Sequence, residues 1–370
     1  MRRFGLLLAV FCLFAAHVSV PLKAQEIYKI GFYGNSGNAV CEAGMNIVSM
    51  LSDTQNAKAE YIFEPVFFDS ADSSAASAVN STPNLLCVIG MFNSDSAPFL
   101  DNVKTIPLFN LDSTYSGFEG RGNGFRMVIS EPEAARAMAR TQMALFSRSR
   151  FGYVYAEGNN DYKETALAYA DTVKANKATL AYEKSVESDR TDFELVLMRV
   201  RDLKLGNIFF VGGPKQTLEF AKQLEKMKTG AVLCAPSVIF SKEFIKEGKT
   251  AAAGAELVMK TAPYISGIKK IKQFVRDYAK KYGKPASVYT PFIHDAFGII
   301  RQGVENGIKT PGEMIGFIGA VEYAGCEGRV KFSAKGARVN APFYFNVIRR
   351  DEFMYMRFQP DMWNAYNRKK

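Results

Sequence analysis

The sequence predicts an α/β protein built as two lobes around mostly parallel sheets. Three observations carry this. Strand-like apolar runs alternate with helix-period segments almost from end to end, the alternation restarts near residue 150, and 370 residues exceed what one compact core accommodates.

The first strand is predicted at YKIGFYG (28–34). It leads into a helix over Val40–Leu51, where Ala43, Ile47, Val48 and Leu51 recur at helical spacing. YIFEPVFF (61–68), an Ala/Ser-rich stretch, LLCVIG (85–90) and the short apolar segment TIPLFNL (105–111) follow, the last ending in the turn-prone Asp112-Ser113-Thr114. Runs this apolar suit strands covered on both faces. The second series opens with RFGYVYAEG (150–158) and a helix over 162–175, placing Ala166, Leu167, Ala170 and Val173 on one face. A helix over 192–204 turns Phe193, Val196, Leu197, Val200 and Leu203 inward. NIFFVGG (207–213) enters a helix over Pro214–Lys228, with Pro214 suited to a first turn where its missing N–H costs little, and AVLCAP (231–236) is the next strand. Beyond Met259, a helix over 266–282 carries Ile268, Ile271, Val275 and Tyr278 inward and stops at Gly283. Another begins at Pro291 and runs to 306. GRVKFSAKG (328–336) and FYFNVIRRDEFMYMRF (343–358) read as late strands and a hairpin. No low-complexity segment or short-period repeat interrupts the series.

Arg2 and Arg3, the apolar run Gly5–Ala16 and the small residue Ala24 form the pattern of a secretory leader, so the mature chain is expected to start near Gln25 in the periplasm. The run is short for a membrane-spanning helix. Loss of Arg2, Arg3 and Lys23 takes the formal charge from +10 to +7. The remaining lysines are spread over helices such as 266–282 with no nucleic-acid motif beside them, so a solvated basic face is expected and nucleic acid is not a partner. Cys41, Cys87, Cys234 and Cys326 survive cleavage, widely spaced, with neither a disulfide framework nor a zinc motif. Cys87 and Cys234, inside strands, are expected to be buried small hydrophobes.

Several segments, in order, are similar to motifs of one family: KIGFYGNSG, CVIGMFNSDSAPFL, IPLFNLDSTYSGF, FRMVIS with RFGYVYAEGNNDYKETA, HDAFGIIRQGVENG and GCEGRVKFSAKGAR. On these the chain resembles the type I periplasmic solute-binding proteins of the branched-chain amino-acid (Leu/Ile/Val) ABC importers over nearly its whole mature length. The resemblance implies two Rossmann-like lobes joined by a three-segment hinge, with crossings near 126–130, 260–265 and 328–336. It implies a leader over 1–24, a first lobe over 25–127 and 263–327, a second over 128–262 and 328–358, and a tail over 359–370. The implied partners are a small-molecule ligand and an ABC permease in the inner membrane, for a monomeric carrier with no cofactor. A ligand-binding sensor of the same fold, signalling to a membrane partner, is the alternative.

Ligands of α/β sheets sit beyond the carboxyl ends of strands, where helix N-termini offer free N–H groups. Ser94 and Thr114 lie just past strand ends and match the family's carboxylate-binding Ser and Thr. Each is equally a helix-capping residue by type. Tyr162 matches an aromatic that closes from the second lobe, or simply starts its helix. Ser36 and Phe92 are expected in the pocket wall, and Asp295 on the hinge side of the cleft or set against its helix dipole. Where family members that bind α-amino acids place an acid for the ligand ammonium, this chain reads Pro236-Ser237-Val238-Ile239. Either Asp112, Asp95 or Asp295 takes that role, with Ser237 lining the site, or the ligand is an acid or amide without an α-amino group. An enzyme is not expected: His294 is the one histidine beyond the leader, no Gly-x-Ser-x-Gly elbow occurs, and Gly34-Asn35-Ser36-Gly37 lacks dinucleotide-loop spacing.

Overall fold

A computed structural model describes residues 25–53, 61–111, 115–146, 149–239, 241–260, 268–349 and 352–356. The leader, Asp112, Thr114 and the tail lie outside them. Among the described residues no helix is long and apolar enough to cross a membrane.

The first sheet contains β1 (Glu26–Gly34), β2 (Tyr61–Asp69), β3 (Leu85–Gly90), β4 (Leu108–Asn110) and β5 (Gly124–Arg126), all parallel, in the order β2-β1-β3-β4-β5. Every residue of β3 is buried, as expected of a parallel strand with helices on both faces. One face packs against α1 (Ala39–Asp53), α10 (Thr290–Glu305) and α11 (Pro311–Ala320), through Ile47, Val48, Phe292, Ile299 and Met314. The other packs against α2 (Ala75–Ser81) and α3 (Ala97–Asn102), through Val79, Phe99 and Leu100.

The second sheet repeats the pattern. Its parallel strands are β6 (Arg150–Ala156), β7 (Thr179–Val186), β8 (Asn207–Val211), β9 (Val232–Ala235) and β10 (Glu256–Met259), in the order β7-β6-β8-β9-β10. The antiparallel β13 (Tyr344–Arg349) and β14 (Glu352–Met356) extend the β10 side. Helices α4 (Glu131–Leu145) and α5 (Asn160–Ala175) cover one face; α6 (Glu194–Asp202), α7 (Pro214–Lys226) and α8 (Lys242–Gly248) cover the other. The protein is thus an α/β fold with two doubly wound, mostly parallel sheets, as predicted.

Where prediction and structure differ, the reasons are local. β7 is an edge strand whose residues Glu183 and Lys184 face solvent, so no apolar run marks it. α4 buries alanines (Ala134, Ala135, Ala137, Ala139) around Met138 and Met143, so its apolar periodicity is faint. Its Ser130–Glu133 capping box is nevertheless complete, with both reciprocal hydrogen bonds made. Leu167 is exposed, not inward: it lies one residue from Ala166, and consecutive residues do not share a helix face. The helix predicted over 266–282 is α9 (Lys272–Tyr282), preceded by a 3-10 turn at Lys269–Ile271, and Gly283 ends it at φ +67°. The segment predicted as a strand over 328–336 is the hairpin arm β12 (Gly328–Val330), paired with β11 (Tyr323–Gly325). Val330 and Phe332 join the core of the first sheet, so the chain leaves that core only beyond Phe332. Cys41, Cys87, Cys234 and Cys326 are free thiols, and Cys87 and Cys234 are fully buried.

Two features bring the sheets' carboxyl edges together. β5 ends at Arg126, and four residues later Ser130 caps α4, which starts at the carboxyl edge of the second sheet before descending to β6. The returning segment 333–338 runs alongside β5: Arg126 N donates to Gly336 O at 2.8 Å, and Arg338 N to Arg126 O at 3.1 Å.

Candidate ligand site at the facing strand edges

In each sheet the strand order reverses next to one strand, β1 in the first and β6 in the second. The gaps β1/β3 and β6/β8 are therefore the crevices where helices leave in opposite directions and ligands settle.

On the first edge, β1 ends in the turn Asn35-Ser36-Gly37, with Gly37 at φ +81°. Asn38 then accepts from Val40 N at 2.8 Å and Cys41 N at 3.3 Å, opening α1. Ser36 is exposed beside this helix start. After β3 the chain makes a 3-10 turn, Ser94–Ser96, that runs into α3. Ser94 is exposed, makes no side-chain hydrogen bond among the described residues, and does not cap α3. Asn110, at the end of β4, is buried; its amide accepts from Phe92 N at 3.0 Å and donates to Phe92 O at 3.1 Å, locking the β3 and β4 loops together. Phe92 is not pocket wall. It is fully buried, stacked against Tyr33, Phe99 and Phe118, because the chain after β3 turns this side chain back under the sheet. Asp112 and Thr114 lie outside the described residues.

On the second edge, Asn159 caps α5 by accepting from Asp161 N at 2.8 Å and Tyr162 N at 3.4 Å. Tyr162 is half-buried and crosses the β6/β8 crevice: a Cβ placed at Gly213, the residue before α7, would lie 4.0 Å from its hydroxyl. Burial, followed by the charge of Asp161, raises the Tyr162 pKa, which keeps the hydroxyl a neutral donor. Ser237, two residues past β9, donates to Glu131 Oε1 at 3.2 Å. Lys260, the first residue past β10, approaches the same oxygen at 2.8 Å, and both side chains are largely buried at 13% and 11% exposure.

Glu131 and Lys260 are the functional candidates that sequence reasoning missed. A carboxylate does reach the β9 loop, from the first turn of α4, 106 residues away in sequence, and it is paired with a cation. The signal for Glu131 was the Ser-x-x-Glu box beginning one residue earlier; nothing marked Lys260. Asp295 does not reach this edge as an open carboxylate: it is 1% exposed, and both its oxygens accept from Cys326 N, at 2.9 and 3.0 Å. Asp95 is exposed next to Ser94.

A separate open groove of about 410 Å³ lies between α4 and α5, near the hinge. Glu119, Glu133, Asp161, Glu164 and Asp171 make it acidic, against Arg126 and Arg136. None of the predicted site residues lines it.

Two doubly wound sheets joined by the chain from β5 to α4 and by the returning segment define the architecture of a two-lobed ligand-binding protein. The chain belongs to the periplasmic binding protein family, whose model matches residues 39–352. No curated protein matches it. Its fold is similar to that of a leucine-binding protein from Thermotoga maritima, at 17% identity, covering 90% of this chain and 99% of that one, with a TM-score of 0.71. It is also similar to an ABC transporter substrate-binding protein from Desulfitobacterium hafniense in complex with Leu, at 18% identity and 0.75, covering 90% and 100%. A third similar structure is an ABC transporter solute-binding protein from R. palustris in complex with benzoate, at 17% and 0.63, covering 89% and 95%. The fold of ABC substrate-binding proteins is therefore shared across nearly the whole chain.

Proposed function

We propose that the chain, exported and trimmed near Ala24, is the extracytoplasmic substrate-binding component of an ABC importer that captures a small carboxylate by closing its two lobes. The observation that carries this reading is the pair of unlike edges. One presents exposed hydroxyls at helix starts (Ser36, Ser94); the other presents the Glu131–Ser237–Lys260 cluster and Tyr162. A carboxylate at the first edge gains charge-assisted hydrogen bonds and the helix-start dipole, and its approach to Lys260 adds a cation from the opposite edge. A free α-ammonium group would have to compete with Lys260 for Glu131, so acids without that group are favoured over amino acids. Ligand bound to both edges stabilises the closed arrangement at the expense of the open one. Catalysis is not part of the reading. The thiol and the carboxylate near His294 both approach the same ring nitrogen, not opposite ones as a nucleophile and its orienting acid do.

The test is a thermal-shift panel on the chain from Gln25 with leucine, its deaminated 2-oxo acid, its amide, and benzoate, since a ligand of the folded state raises Tm. The 2-oxo acid or benzoate should stabilise more than leucine, and the amide least. Ser94→Ala should weaken the effective ligand at least about tenfold, the loss of about one hydrogen bond to a charged group, while the unliganded Tm stays unchanged. Unchanged affinity in Ser94→Ala removes this site, and stabilisation by leucine alone overturns the preference for acids.

A further inference from the structure

Away from the strand edges, the consecutive residues His294 and Asp295 on α10 meet Cys326, which sits in the turn of the β11–β12 hairpin. Cys326 Sγ lies 3.5 Å from His294 Nδ1, and Asp295 Oδ1 lies 3.8 Å from the same nitrogen. The three donor atoms are all within 4.8 Å of one another. At 3.8 Å the carboxylate stands beyond hydrogen-bond reach of the ring nitrogen, and it is the thiol and the carboxylate that are hydrogen-bonded to each other. A cation at the centre of the triangle would have all three as ligands. Tetrahedral zinc with ordinary bond lengths needs N···S of about 3.6 Å and N···O of about 3.4 Å, close to the 3.5 and 3.8 Å found here.

The turn is built to hold this geometry. Both carboxylate oxygens of Asp295 receive the Cys326 backbone N–H, at 2.9 and 3.0 Å, which orients the acid as a metal site requires of its supporting hydrogen bonds. A buried cation neighbours the triangle. Arg338 is 3% exposed, and none of its three guanidinium nitrogens has a hydrogen-bond partner among the described residues; it rests 6.0 Å over the Phe292 ring. Its charge faces Asp295, Glu327 and Cys326.

We propose that His294, Asp295 and Cys326 form a binding site for a borderline-soft divalent cation of the Zn(II) class, with one coordination position left open. Binding forms the metal–sulfur, metal–nitrogen and metal–oxygen bonds and releases the Cys326 proton to solvent; no electrons move. His294 retains 22% side-chain exposure and so provides the entry path. Cys41, Cys87 and Cys234 are buried, leaving Cys326 as the accessible thiol among the four. The ion would tie α10 to the hairpin whose strand leads into the 333–338 crossing.

The experiment uses the whole chain stripped with a chelator and titrated with Co(II) as a spectroscopic stand-in. The expected result is a thiolate-to-cobalt charge-transfer band that saturates at one equivalent, is displaced by Zn(II), and is absent in Cys326→Ala. His294→Ala should bind Zn(II) at least about tenfold more weakly, the loss of one ligand. The unsubstituted protein supplies a second measurement: Zn(II) should slow alkylation of Cys326 by iodoacetamide, followed by peptide mass. A missing band, a band that survives in Cys326→Ala, or alkylation unaffected by Zn(II) overturns the site.

Discussion

Replacing Gly336 by alanine strikes the point where two chain crossings touch. Gly336 holds φ +80°, and a Cβ there would sit 1.9 Å from Gly124 O, a backbone atom that cannot swing aside as a side chain does. The left-handed conformation alone costs an L residue about 1–2 kcal/mol. Relieving the collision must separate the strands 124–126 and 336–338, weakening Arg126 N→Gly336 O and Arg338 N→Arg126 O, each worth about 0.5–1.5 kcal/mol. The expected loss is therefore about 2–5 kcal/mol. Gly283→Ala is the control: it has φ +67° with nothing within 4 Å of the added Cβ, so it bears the conformational cost without the collision, about 1–2 kcal/mol. Urea denaturation of both variants and the parent, fitted for midpoint and slope, gives the difference directly. Equal losses in the two variants would refute the claim that the crossings are in unyielding contact.

Three further outcomes are expected. Glu256 is buried among Gln142, Cys234 and Tyr169, and burial raises its pKa, so the folded protein holds this proton more tightly than the unfolded chain. The stability this provides is fully present below the unfolded carboxyl pKa and is lost as pH rises through the folded value. Glu256→Gln should thus match or trail the parent in acid and overtake it toward neutral pH, and a parent that stays ahead at neutral pH in urea titrations contradicts the burial argument. Phe92→Ala should cost about 3–5 kcal/mol, as for a fully buried aromatic, whereas a drop in ligand affinity with stability intact would return Phe92 to the pocket wall. Ser130→Ala should cost about 1 kcal/mol by removing the cap of α4, measured by thermal unfolding, and no change would mean the capping box is idle.

The sequence alone was enough to name most elements and their order. Parallel strands buried on both faces must be continuously apolar, and LLCVIG and NIFFV are visible for that reason. It was also enough to place Ser36, Ser94 and Ser237 just past strand ends, because a strand end is a local feature. α4 escaped notice because alanines fill its interface, and β7 because an edge strand needs no apolar run. Side-chain direction beyond a strand end is not local, which is why Phe92, two residues from Ser94, belongs to the core. The tertiary structure alone decided which distant residues share a charge or a donor: Glu131 with Lys260, Asp295 with the Cys326 amide, and His294 with the Cys326 thiol. The physical reason is range. Periodicity and turn chemistry act over a few residues and leave a trace in sequence, whereas an ion pair or a cluster of metal-binding groups depends on distances that only the packed sheets and the hairpin against α10 set.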